Sequence, residues 1–179
     1  MTNALNPFVI FTALYALVAL TEAGIILGLL YLAVELLAAF TVAGYVLIMR
    51  LRSRVGDFWI SARAARLTPA VFLLTAFVVL LVILTLLDAP RDLQLLTLSM
   101  GLASATVAAI TLLWKASAHC TVAGLAAAAG LLLLGPLGFV FLLVLPLVIW
   151  SRVASGAHTL PQALAGAAVG AAFAILILV

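Results

Sequence analysis

Long apolar runs separated by short polar breaks dominate the chain. The clearest runs fall at about 69–87, 93–114, 118–134, 136–150 and 160–179. They are rich in Leu, Ala and Val and show no alternation of period two, a pattern of membrane-crossing helices, which need about 20 apolar residues each. An earlier stretch, residues 8–49, is interrupted only by Thr21, Glu22 and Glu35. As one helix it would be about twice the bilayer thickness. The expected break is near Gly28, giving spans at 7–27 and 29–49 and seven in all, or six if the first stretch lies in the interface. The expected fold is all-α: a polytopic transmembrane helical bundle of six or seven spans, with residues 1–179 forming a single integral membrane domain.

Composition turns the pattern into a statement about solvent. Hydrophobic residues make up 69% of the 179 residues and charged residues 7%, with a mean hydropathy of +1.48. A soluble domain carries about a quarter charged residues, so this chain cannot cover a water-facing surface. In hydrocarbon only helices and closed barrels satisfy their backbone groups, and unalternating runs exclude a barrel. The single cysteine, Cys120, excludes an intrachain disulfide framework. The start, MTNALNPF, lacks the basic region of a cleaved signal peptide.

The polar breaks lie at 50–68, 88–92, 115–118, 135–136 and 151–159. Alternate crossings put Arg50, Arg52, Arg54, Arg63, Arg66, Lys115 and Arg152 on one side and Arg91 alone on the other. The positive-inside rule makes the first side cytoplasmic, which gives a multi-pass protein of the cell (inner) membrane. Trp59, Trp114 and Trp150 end their segments on that side, as an aromatic belt does. The net charge of +3 comes from these loop cations. It points to topology and site chemistry, with the lipid bilayer as partner and no nucleic acid.

The only two histidines, His119 and His158, fall on the cation-rich side beside Lys115, Ser117 and Arg152. Ionisable groups close to a membrane interior are costly and are candidates for function by default. Two imidazoles among fixed cations suit a phosphoryl group: cations neutralise its oxygens, one imidazole attacks phosphorus, and the other protonates the leaving alkoxide. Taken singly, each histidine reads better as an interfacial residue capping a helix; the pair, on one side and beside basic and serine-containing segments, reverses that preference. One His beside one Cys makes no metal site, so no metal is expected.

Lys115-Ala-Ser117-Ala-His119 and Ser151-Arg152-x5-His158-x3-Gln162 resemble the second and third signature motifs of the type-2 phosphatidic-acid phosphatase (lipid phosphate phosphatase) superfamily, Ser-Gly-His and Ser-Arg-x5-His-x3-Asp. Asp57-Phe-Trp-Ile-Ser-Ala-Arg63-Ala-Ala-Arg66-Leu-Thr-Pro69 looks like the first, basic motif in the form found in small prokaryotic members. The resemblance covers about residues 54–170, in the family's order. It implies a phosphoric-ester hydrolase acting on a membrane lipid through a phosphohistidine, with no cofactor and no metal. Candidate substrates are phosphatidic acid, phosphatidylglycerophosphate, a polyprenyl phosphate or diphosphate, and a prenyl-phosphosugar phosphate.

The roles follow residue by residue. The resemblance makes His158 the nucleophile and His119 the general acid and later base. Arg152, Arg63 and Arg66 hold phosphate oxygens, aided by Ser117, the backbone N–H groups near Ala118, and Lys115 at the periphery. Gln162 orients His158. The chain departs from the pattern at Ala118, where the family has Gly, at Gln162, where it has Asp, and at Ala62, where the first motif has an acid. A glutamine oxygen still accepts from imidazole Nδ1–H but stabilises an imidazolium less than a carboxylate does.

Three features stay open at this level. Glu22 and Glu35, at buried depth on the first two spans, can pair with an arginine, line a head-group cavity or relay protons. Gly166 and Gly170 form a GxxxG that brings helices close, within the chain by preference or at a homo-oligomer face. The rival reading of the whole is a non-catalytic lipid- or anion-binding or transporting membrane protein with a degenerate phosphatase site. Pro146 interrupts one span as in transporters, but no internal repeat accompanies it.

Overall fold

A computed structural model describes residues 6–52 and 67–179. The elements among these residues are all helical: α1 (Pro7–Leu51), α2 (Leu67–Leu86), α3 (Arg91–Leu113), α4 (Ala118–Leu134), a 3-10 turn (Gly135–Gly138), α5 (Phe139–Ala154) and α6 (Leu160–Leu178). Five helical stretches are long and apolar enough to cross a membrane: Pro7–Leu51, Thr68–Leu86, Arg91–Leu113, Ala118–Ala154 and Leu160–Leu178. Among the described residues the count is therefore five, which corrects the six or seven expected from the runs. The difference arises because helical structure continues through two glycine-containing bends, which leaves the first and fourth stretches as single doubled-back units.

The first bend lies at Gly24, not near Gly28. Gly24 has φ of 72°, the left-handed region that glycine enters without steric cost. Gly28 has a different task. A Cβ there would lie 2.8 Å from the Ala19 carbonyl oxygen of the opposite arm, so glycine is needed for close approach. Across the hairpin, the Thr12 hydroxyl reaches the Glu35 carboxylate. At its start, Asn6 accepts from Phe8 N at 2.9 Å and Pro7 opens the helix, a cap and a first-turn proline in their favoured places.

The α2–α3 connection is short, and Tyr31 ties the second arm of α1 to it by donating to Leu87 O at 3.3 Å. The second doubled-back stretch turns at Gly135, φ 55°, where Pro136 opens the 3-10 turn. A side chain on Gly138 would overlap the Gly130 backbone, so α4 and α5 meet closely just past the turn.

α4 is the central helix, packed most extensively on α6 and then on α5, with α1 and α3 also against it. Small residues make this possible. A Cβ on Gly124 would overlap the Ala167 backbone, one on Gly166 the Ser117 carbonyl, and one on Gly170 the Thr121 carbonyl. Gly166 and Gly170 are therefore used inside the chain, by α4. Van der Waals contact between small-residue faces is what joins helices where lipid removes the hydrophobic drive. The outer surface carries exposed Ile25, Ile26, Leu37, Phe40, Leu86 and Leu143, a face suited to hydrocarbon.

Candidate functional site

The two histidine segments converge at one end of the bundle, where α3 ends, α4 begins and α5 turns into α6. Ser117 starts the arrangement. Its hydroxyl, fully buried, accepts from Cys120 N at 3.4 Å and caps α4. Its N–H donates to Gln162 O on α6 at 3.2 Å, and its carbonyl accepts from Thr121 Oγ1 at 3.0 Å. The N–H, the carbonyl and the hydroxyl oxygen of Ser117 are thus engaged, which fixes His119 on the first turn of α4. The N–H groups that open a helix have no intrahelical acceptor. Here the first belongs to Ala118, whose residue is exposed.

Arg152 lies in the last turn of α5 and is buried at 9% exposure. Cations near a helix C-terminus are favoured by its dipole, and the Arg152 carbonyl makes two further bonds. It accepts from His158 N at 3.2 Å and from Ser155 Oγ at 3.2 Å. Gly156, at φ 68°, lets the chain turn within this short connection.

His158, half-buried, is thereby held from two sides: its N–H at Arg152 O, its Nδ1 3.4 Å from Lys115 O. With Nδ1–H donating to that carbonyl, the lone pair falls on Nε2, the tautomer a nucleophile needs. His119, also half-buried, lies within electrostatic reach of both Arg152 and His158. Two imidazoles and one guanidinium therefore share one end of the bundle. Such a set can neutralise an anion, attack an electrophilic centre and move a proton.

Several residues take places other than those the motifs gave them. Gln162, expected to orient His158, accepts from Thr159 N at 3.1 Å. Thr159-x-x-Gln162 is a capping box, and its spacing is visible in the sequence. The acceptor at His158 Nδ1 is instead the Lys115 carbonyl, for which no side-chain pattern signals. The Ser117 hydroxyl, expected at a phosphate, serves the helix cap with an oxygen lone pair, and its O–H is a separate donor. Lys115 contributes its carbonyl, and its side chain is half-buried. Arg63, Arg66 and Ala62 lie outside the described residues.

Trp114 and Trp150, 42% and 65% exposed, stand at this end of the bundle. Glu22 is exposed beside the Gly24 bend, at the opposite end. It sits in the last helical turn before that bend, and its side chain is not buried in the bundle. Glu35 does lie at buried depth, 3% exposed. Among the described residues no three His, Cys, Asp or Glu side chains gather as a metal site. Comparison with family models, with curated proteins and with solved structures finds no match.

Proposed function

We propose that the chain is a membrane-embedded lipid-phosphate phosphatase working through a phosphohistidine. The observation that carries this reading is His158 fixed at both its N–H and its Nδ1, with Arg152 and His119 beside it. In the first step the His158 Nε2 lone pair forms a bond to phosphorus as the P–O bond to the lipid breaks. The departing alkoxide takes a proton from His119, which the bound phosphate anion holds as the imidazolium against burial and the nearby Arg152, and leaves as the lipid alcohol. Neutral His119 then removes a proton from water, whose oxygen attacks phosphorus. The N–P bond breaks, phosphate departs and both histidines return to their starting states. Arg152, with Arg63, Arg66 and Lys115, holds the phosphate oxygens, and fixed cations of this kind favour the charge that builds up in transfer.

The site lies on the cytoplasmic side in this reading, which favours lipid biosynthetic intermediates over carriers recycled on the outer face. Sidedness has a clean test, because the native Cys120 is fully buried. In Arg54→Cys, a membrane-impermeant thiol reagent is expected to label only permeabilised cells. Ready labelling of intact cells would overturn the topology.

A second reading, non-catalytic binding or transport of a lipid phosphate or anion, draws on one observation. The Ser117 hydroxyl and the Gln162 oxygen are both engaged in helix caps, which leaves fewer groups for catalysis. Phosphate release from the lipid phosphates named above, in liposomes, separates the two. Phosphatase activity predicts release by the wild type and background release by His158→Ala. Wild-type release no greater than that of His158→Ala on every lipid, with lipid phosphate still bound, would establish the second reading.

A further inference from the structure

Away from the histidines, a buried acid lies where the two arms of α1 meet α2. Glu35 is 3% exposed, well inside the second arm of a membrane-crossing hairpin. Its hydrogen-bond donor is the Thr12 hydroxyl of the first arm, 3.0 Å from Oε1 and 3.1 Å from Oε2. An ionised carboxylate offers about four lone-pair sites and in an apolar medium needs several donors or a cation. One hydroxyl does not meet that need. That hydroxyl can serve either form, as a donor to a carboxylate or as donor and acceptor with an acid; burial away from water and cations is what favours the neutral acid.

Among the described residues the surroundings supply no counter-charge. Thr12 is the neighbouring group that acts on Glu35. The titratable groups near it on α1 are Tyr15 and Tyr31, which interact with each other, and Tyr15 also with Glu35. The span of α2 against it, Thr68–Leu86, contains no ionisable side chain. α4 brings His119 and Cys120 only at its first turn, and α3 brings Arg91 and Asp92 only at the far end of the bundle. The Tyr15 hydroxyl is buried without a hydrogen-bond partner, a second polar group beside the acid with unused capacity.

Glu35 also lines a half-open cavity of about 40 Å³ among Phe8, Phe11, Ala38, Leu73 and Phe77. That is too small for a lipid chain and large enough for water, which needs a free space of roughly 10–15 Å³. Among the described residues its lining offers a water Glu35 as the one polar partner, fewer than a resident water needs, so the opening admits water only in passing, and such a water can carry the proton.

We infer that Glu35 is a proton-binding site inside the membrane: a neutral carboxylic acid, shared with Thr12, that exchanges its proton through the water-sized cavity between the arms of α1 and α2. This site is independent of the histidine chemistry, and its function is to hold and release a proton where a fixed charge would be costly.

The chain has two glutamates, Glu22 and Glu35, which makes the test specific. Glu22→Gln changes an exposed residue and leaves Glu35 as the sole glutamate. With carboxyl-13C glutamate incorporated, the full-length protein in liposomes is read by infrared spectroscopy at neutral pH. The expected result is an isotope-shifted carboxylic-acid C=O band that moves to lower frequency in D2O and is replaced by carboxylate bands as pH rises. Carboxylate bands at neutral pH with no acid C=O band beside them would overturn the neutral acid. An acid band that does not respond to D2O would overturn the exchange. As a second variant, Glu35→Gln is expected to melt at the wild-type temperature, since one neutral group replaces another. A large fall in melting temperature would contradict the assignment.

Discussion

His158→Ala is expected to lower lipid-phosphate hydrolysis by about 10³-fold or more, to the background of the assay. In the proposed mechanism this removes the nucleophile and with it the covalent route, and groups that act as a unit lose most of their effect together. His119→Ala is expected to cost about 10²–10⁴-fold, the usual contribution of a positioned acid or base. The loss should shrink for lipids whose leaving group is a phosphate, because a diphosphate substrate departs with less need of a proton. Both variants should stay folded. Each histidine is half-buried, and the bond from position 158 to Arg152 O is made by the backbone. Initial rates on a monophosphate and a diphosphate lipid, with melting temperatures alongside, check the whole pattern.

Gly170→Val is expected to destroy both fold and site. A Cβ at position 170 overlaps the Thr121 carbonyl, and a backbone atom has no rotamer by which to move away. Overpacking into yielding side chains costs about 1–3 kcal/mol; here α4 and α6 must part, so about 3 kcal/mol is a lower bound. Parting them also breaks the Ser117 N to Gln162 O bond and separates His119 from His158. Gly44→Ala is the matched control. It has nothing within 4 Å of the added carbon, and helix propensity makes it neutral or stabilising by about 0.5–1 kcal/mol. Thermal unfolding in detergent should show Gly170→Val largely unfolded and Gly44→Ala at or above the wild type. A folded Gly170→Val would contradict the packing of α4 on α6.

The helices are legible in the sequence because hydrocarbon permits little else. Each apolar run from residue 69 onward corresponds to a helix with boundaries close to those expected, and His119 and Arg152 come to one end because the chain doubles back between α4 and α5 at Gly135. The first bend is not legible from spacing alone. Gly24 and Gly28 are equally glycine in the sequence, and only the folded hairpin separates the one that turns the chain from the one that lets Ala19 approach. Glu22 and Glu35 look alike for the same reason: two acids in apolar runs, of which the bend exposes one and the hairpin buries the other. Gln162 fits a motif and a capping box at once, and its side chain serves the cap. Backbone acceptors such as the Lys115 carbonyl leave no side-chain signature to find. The basic motif with Arg63 and Arg66 lies outside the described residues and stands on the sequence alone.

The central claim is that phosphorus passes through His158. Wild type, His119→Ala and His158→Ala, each incubated briefly with a lipid carrying 32P at the scissile phosphate and then denatured in base, measure this directly. Acid-labile label is expected on the wild type at low occupancy. On His119→Ala a diphosphate lipid should leave more, because water then lacks its base. The label should map to the peptide containing His158 and be absent from His158→Ala. Phosphate release by the wild type with no label on any variant, or label that persists in His158→Ala, would contradict the account.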